Sequence, residues 1–291
     1  MIIKDVLGRT TEHFKKLGLS TPRLDAELLI SNALGWERID LYMQIEYPLD
    51  EEQLQKCRAA VQRRSKGEPV AYILGYRDFY KHKFKVNTNV LIPRPETELL
   101  VELALDYLKH AGLEGETHVV DFGCGSGCIG LSIVSEHESS QLVGIDLSDG
   151  AIQVAKENSQ VMGLDHRVQF VKSDVTLLDA VNNQNLQKNC ANIVVMNPPY
   201  IAPNDENLDP MVKKYEPHMA LFAEDSGMSA IKKWAMIAAK MLVSGGWLGT
   251  EVGQGQARPI IDYLSQSGLF IDVEAKQDYS GVDRFVIGIR A

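Results

Sequence analysis

The 291-residue chain is long enough for about two domains, and its 45% hydrophobic and 24% charged residues are ordinary for a globular protein. That composition excludes collagen-like, low-complexity and disordered chains. Thirty basic against 39 acidic side chains give a net charge of −9; residues 1–115 carry 17 of each, so the acidic excess lies wholly in 116–291 and no direct grip on nucleic acid is expected.

No segment approaches 18 uninterrupted apolar residues, and the first five residues, Met-Ile-Ile-Lys-Asp, lack the apolar core of a signal peptide. A cytoplasmic protein without membrane contact is expected. Cys57, Cys124, Cys128 and Cys190 fit neither a disulfide framework nor paired CxxC zinc spacing, so we read them as free thiols and expect no metal.

From residue 2 to 66 apolar residues recur at helical spacing, as in Ala26, Leu29, Ile30, Ala33 and Leu34, with stops at Gly18, Gly35 and Gly67. Residues 1–75 therefore read as a small helical domain of about four helices. Its last helix carries Arg58, Arg63, Arg64 and Lys66, either a solvated face or a docking surface for an acidic partner. Residues 79–86 mix β-formers with charges and read as a strand pair, so 76–95 becomes a β-hairpin linker. Pro93 and Pro95 then make a stiff ledge before a helix over about 96–110.

Within 96–291 the β-rich runs 118–122, 141–145, 168–171, 192–196, 247–251, 270–274 and 284–289 alternate with helical stretches. That pattern predicts an α/β domain with a seven-stranded, mainly parallel sheet. The link between the last two runs is too short for a parallel crossover, so the final pair should be antiparallel.

The first run ends in Asp121-Phe-Gly123-Cys124-Gly125-Ser126-Gly127. Glycines there let the backbone turn sharply and approach a ligand. A carboxylate ahead of the first glycine suits a ligand bearing a positive amino group better than a pyrophosphate. Asp146, closing the second run, can accept from both hydroxyls of a ribose. Asp174, after the third, can take a proton from an adenine amine or cap a helix.

The fourth run leads into Asn197-Pro198-Pro199-Tyr200. Two prolines pin the backbone so that the Asn197 side chain and the Pro198 carbonyl can accept both protons of one planar nitrogen. Tyr200 offers an aromatic face that can stack on a flat substrate group or sit near a cation. Together these features describe N-methylation from S-adenosyl-L-methionine, with a carboxamide in a protein or an exocyclic base amine in RNA or DNA as the acceptor. A helical adaptor with a degenerate Rossmann domain would leave the glycine loop and Asn197 without a purpose. No GxxxxGK[ST], HExxH or GxSxG motif supports a kinase, zinc protease or α/β-hydrolase.

Pro93-Arg-Pro-Glu-Thr-Glu98, Asp121-Phe-Gly-Cys-Gly-Ser-Gly127 and Asn197-Pro-Pro-Tyr-Ile201 stand in an order and spacing that resemble the bacterial peptide chain release factor N5-glutamine methyltransferases. Gly67 to Gly75, Glu216-Pro217 with Ala220-Leu221, Gly245-Gly246 before Glu251, and Gly281 before Arg284 are similar to that family as well. The resemblance implies an N-terminal helical bundle that contacts class I release factors, joined by a β-hairpin to a Rossmann-like S-adenosylmethionine-dependent methyltransferase domain. It implies methylation of the glutamine side-chain amide in the Gly-Gly-Gln loop, with Asp121, Gly123 to Gly127, Asp146, Asp174, Val175 and Asn197 at the cofactor and Asn197 to Tyr200 at the amide. Val175 stands where many members carry a bulky aromatic, and residues 222–227 replace a more glycine-rich stretch.

Overall fold

The computed structural model describes residues 1–113, 115–180 and 189–291. They form two compact units, Met1–Tyr76 with Pro210–Tyr215, and Arg77–Asp209 with Glu216–Ala291.

In the first unit, helices α1 (Ile3–Lys16), α2 (Pro22–Leu34), α3 (Arg38–Met43), α4 (Glu51–Ser65) and α5 (Val70–Leu74) follow one another. Pro22 opens α2 and Gly35, at φ 69°, ends it; Asp50 and Gln53 form a reciprocal cap on α4. Ile3, Val6 and Leu7 lie on one stripe of α1 and pack against Ile30, Leu41 and Leu49. The basic residues of α4 already have acids within the unit: Arg58 pairs with Glu51, Arg63 with Glu68, and Arg64 at 2.7 Å with the buried Asp25. Each of these three arginines thus has an acid partner within its own unit.

The second unit opens at Arg77, within the hairpin β1 (Tyr76–Phe79) and β2 (His82–Lys85). Phe79 and Phe84 meet edge to face at 6.0 Å and are buried with Leu100, Val101 and Leu108 of α6 (Glu98–His110). The hairpin's aromatic face thereby belongs to the core of this unit. Then come β3 (Thr117–Phe122), α7 (Cys128–Glu136), β4 (Ser140–Asp146), α8 (Asp149–Val161), β5 (Val168–Lys172) and β6 (Ala191–Met196). The short α9 (Pro210–Tyr215) falls in the first unit, followed by α10 (Ser229–Met241), β7 (Leu242–Glu251), α11 (Ala257–Gln266), β8 (Phe270–Gln277) and β9 (Asp283–Arg290).

The seven strands are ordered β5-β4-β3-β6-β7-β9-β8. The first five run parallel, and β9 pairs antiparallel with both β7 and β8. Successive residues of the central strands feed opposite faces: Val120 and Val194 pack toward α10 and α11, Val119, Ile193 and Val195 toward α6 and α7. The β7 strand starts five residues before the predicted run. Its register jumps between the Ala191–Leu242 and Ile193–Trp247 pairs, and Gly245, at φ 81°, accommodates the bulge. Between β3 and β6 the chain reverses its direction of winding, and at such a point an open α/β sheet leaves a crevice beyond its strand ends.

Candidate active site

A cavity of about 670 Å³ fills that crevice, within the roughly 300–1,000 Å³ usual for small-molecule sites. The segments leaving β3, β4, β5 and β6 supply Gly123 to Ser126, Asp146 to Ser148, Ser173 to Thr176, and Asn197 with Pro199 to its wall. The sequence-predicted cofactor residues Gly123, Cys124, Gly125, Ser126, Asp146, Asp174, Val175 and Asn197 are therefore brought together. Gly127 instead starts α7 at φ 79°, beside the wall.

The glycine loop is tied to β4 at two points. Cys124 N–H donates to the Ile145 carbonyl at 3.0 Å, and Gly125 N–H to Asp146 Oδ2 at 2.9 Å. Gly123, at φ 67°, lies under the Trp234 ring, which a Cβ would approach to 2.8 Å. Asp146 also accepts from Ser148 N–H at 2.9 Å; burial raises its carboxyl, and these backbone donors oppose the rise. Asp174 Oδ1 accepts from the Thr176 N–H and hydroxyl, so it caps the turn that follows while lining the cavity. Cys124 is buried, which pushes its thiol well above the ordinary range, and Cys128 is pushed up to about 12.

Asp121 sits behind the loop, 1% exposed. Its Oδ2 accepts from Gly130 N–H at 3.0 Å and its Oδ1 has no partner. Burial pushes this carboxyl up to about 7, with Gly130 N–H opposing and the Asp146 charge adding. An orphaned buried oxygen, with two further acids on the wall and three left-handed glycines in the loop, fits a ligand carrying positive charge, as S-adenosylmethionine does.

The Asn-Pro-Pro-Tyr segment is organised by a residue the sequence reading did not assign. Glu251, the last residue of β7, is 2% exposed. Its Oε2 accepts from Thr97 Oγ1 at 2.5 Å and from Asn197 Nδ2 at 3.1 Å, and its Oε1 accepts from the Tyr200 hydroxyl at 3.0 Å. Burial raises the Glu251 carboxyl, while the Thr97 and Tyr200 donors counter the rise. The Tyr200 phenol is likewise raised, first by burial and then by Glu251. Tyr200 is partly buried against the sheet core, and its neighbours Asn197 and Pro199 line the cavity. Pro198 is buried, and among the described residues no donor is bonded to its carbonyl.

Two more anchors fix the surroundings. Arg94 donates to the buried Glu216 at 2.6 Å, and Gln256 Nε2 donates to the carbonyls of Tyr200 and Ser226, both at 2.9 Å. Sequence reasoning also missed Trp234 and Lys233 on the wall, because their helix reads as an ordinary amphipathic one. A glutamate closing an otherwise apolar strand was the available signal for Glu251, since glutamate is seldom fully buried without partners.

Residues 5–75 match the PrmC N-terminal domain model and residues 97–216 the methyltransferase small domain model. The release factor glutamine methyltransferase of Geobacter sulfurreducens is 38% identical over 287 residues, covering 98% of this chain and 96% of that relative. The chain belongs to the release factor glutamine methyltransferase family. The family's member from Chlorobaculum tepidum is 36% identical over 289 residues, covering 97% of this chain and 95% of its own. Among solved structures, the hMettl16 catalytic domain in complex with a MAT2A 3'UTR hairpin is 16% identical with a TM-score of 0.54, over 83% of this chain and 80% of that one, a likeness of fold. Asn197 to Tyr200 fall inside the matched small-domain span, whereas Glu251 lies outside both spans.

Proposed function

We propose that this enzyme transfers a methyl group from S-adenosyl-L-methionine to the side-chain amide nitrogen of the glutamine in the Gly-Gly-Gln loop of class I peptide chain release factors. The observation that carries the reading is Asn197, whose NH2 is committed to Glu251, leaving its Oδ1 as an acceptor on the cavity side. S-adenosylmethionine, when bound, supplies an electrophilic methyl on a sulfonium sulfur.

The remaining chemistry belongs to the chain. Asp121 would pair with the amino group of the cofactor and Asp146 with its ribose hydroxyls. Asp174 and Val175 would flank its adenine. Asn197 Oδ1 and the Pro198 carbonyl would accept the two amide protons and orient the nitrogen in line with the methyl. An amide nitrogen is planar because its lone pair is delocalised. As its bond to carbon forms it turns pyramidal and positive, so acceptors already aimed at its hydrogens hold the transition state more tightly than the ground state. The positive nitrogen then sheds one proton without a strong base.

The net charge of −9 suits a protein substrate better than a phosphate backbone, and a release factor as substrate would put the reaction in the cytoplasm. Mass spectrometry of a release factor incubated with enzyme and cofactor tests the reading. One added methyl on the Gly-Gly-Gln glutamine is expected; label found only in RNA or DNA would replace the protein acceptor with a base amine.

A further inference from the structure

We propose that Glu251 is a positioning residue that sets which way the Asn197 amide faces. An asparagine amide can turn over with little change of shape, presenting either an acceptor or a donor to the cavity. Only the acceptor serves an NH2 substrate; the other orientation sets donor against donor. Something must therefore choose, and prolines that pin the backbone cannot.

Glu251 chooses when it is ionised, the form its Thr97 and Tyr200 donors favour against burial, because a carboxylate accepts and never donates. Glu251 Oε2 lies 3.1 Å from Asn197 Nδ2, so the amide must point its NH2 inward and Oδ1 outward. The carboxylate is itself held at both oxygens, by Thr97 from the turn before α6 and by the Tyr200 hydroxyl from the segment after β6. A carboxylate anchored on two sides cannot swing to follow Asn197; Asn197 follows it. Tyr200 then acts on the substrate through Glu251 rather than by stacking.

The inference rests on the proposed amide chemistry, and its test separates the two. Glu251→Gln keeps the size of the side chain but lets it donate, so the orientation of Asn197 is no longer enforced. We expect kcat on a release factor to fall at least tenfold, on the order of 10–10²-fold, with cofactor Kd and melting temperature little changed. Adding Asn197→Asp to Glu251→Gln should recover most of the loss. Both oxygens of the introduced carboxylate accept, the introduced amide donates to one of them, and Tyr200 donates to the introduced carbonyl.

A substrate-free readout is the Asn197 side-chain NH2 resonance in 15N-asparagine-labelled protein, assigned by its disappearance in Asn197→Asp. It should move in Glu251→Gln. If that variant does not fold, Thr97→Val, which removes one anchor at nearly constant shape, should lower kcat about three- to tenfold and shift the same resonance. An unmoved resonance with kcat within twofold of the original would overturn the positioning role. A moved resonance in a protein that leaves release factors unmethylated would uphold it and overturn the substrate reading instead.

Discussion

Arg94 Nη2 donates to Glu216 Oε1 at 2.6 Å, and the other oxygen of Glu216 accepts from Ile92 N–H at 3.1 Å. The Pro93-Arg94-Pro95 ledge is thereby tied to the segment that brings Pro217 and His218 to the cavity wall. Glu216 is 3% exposed, so Arg94→Ala strands a buried carboxylate. Breaking such a pair costs about 3–5 kcal/mol when both partners are buried; with Arg94 part-exposed, about 2–3 kcal/mol is expected. Denaturant unfolding should show the loss, and Glu216→Gln, which keeps an acceptor for Ile92, should lose less.

Asp121 gives the site a proton to release. Its carboxyl is pushed up to about 7 by burial, against 3.8 for an ordinary aspartate. The retained proton contributes stability fully below about pH 4, and that contribution is lost as pH rises through 7. Asp121→Asn should therefore melt higher than the unsubstituted protein at pH 8 and close to it at pH 4.5. A cationic ligand favours the ionised form, so calorimetry at pH 6 in buffers of different ionisation enthalpy should detect a proton leaving on cofactor binding. Asp121→Asn should abolish that release.

Replacing Asn197 by aspartate alone sets two carboxylates against each other where Nδ2 and Oε2 now lie 3.1 Å apart. Burial already raises Glu251, so the pair should keep one shared proton near neutrality and lose it as pH climbs. Asn197→Asp should hence outperform Asn197→Ala at low pH and fall away in alkali, while Asn197→Ala shows no such limb. Rate profiles of single-turnover methyl transfer between pH 6 and 9 read this directly; parallel profiles would remove Glu251 from contact with position 197.

In the loop after Glu224, Asp225 and Ser226 adopt φ 54° and 52°, followed by Gly227 at 83°. A left-handed conformation costs a side-chain-bearing residue about 1–2 kcal/mol. Ser226→Gly should raise stability by about 0.5–1 kcal/mol, because the Ser226 carbonyl that holds Gln256 is kept. Gly227→Ala should do the reverse, since its Cβ would fall 1.9 Å from the Tyr200 carbonyl. Thermal melts of the two variants should move in opposite directions.

The sheet was legible because its strands are written as short β-rich runs between helical stretches, and each of the seven runs became a strand. Their ends were less so: the bulge at Gly245 lets pairing continue back to Leu242, five residues before the expected run. The glycine loop, Asp146 and Asn197 were legible because each is a chemically unusual residue at the end of such a run. Glu251 shares that position, yet its role depends on Thr97 and Tyr200, which lie 154 and 51 positions away. No local pattern encodes a contact of that kind. Tyr200 is a case of the same kind: an aromatic beside two prolines advertises its ring, and the bond from its hydroxyl to Glu251 shows only in the fold.

The placement of Glu251 on β7 also has a bearing on the order in which the enzyme comes into being. The glycine loop, the acids after β3 to β5 and the Asn-Pro-Pro-Tyr segment are all synthesised before residue 201, but the carboxylate that orients Asn197 arrives about fifty residues later. It reaches its place only when β7 zips onto β6 and is itself covered by β9, at the very end of the chain. Pairings so distant in sequence form late, after the entropy of closing large loops has been met. A nascent chain thus carries the glycine loop, Asp146 and Asn197 before the rest of the cavity wall, Pro217 to Trp234, and last of all receives Glu251, so the crevice and its clamp are both finished only with the sheet.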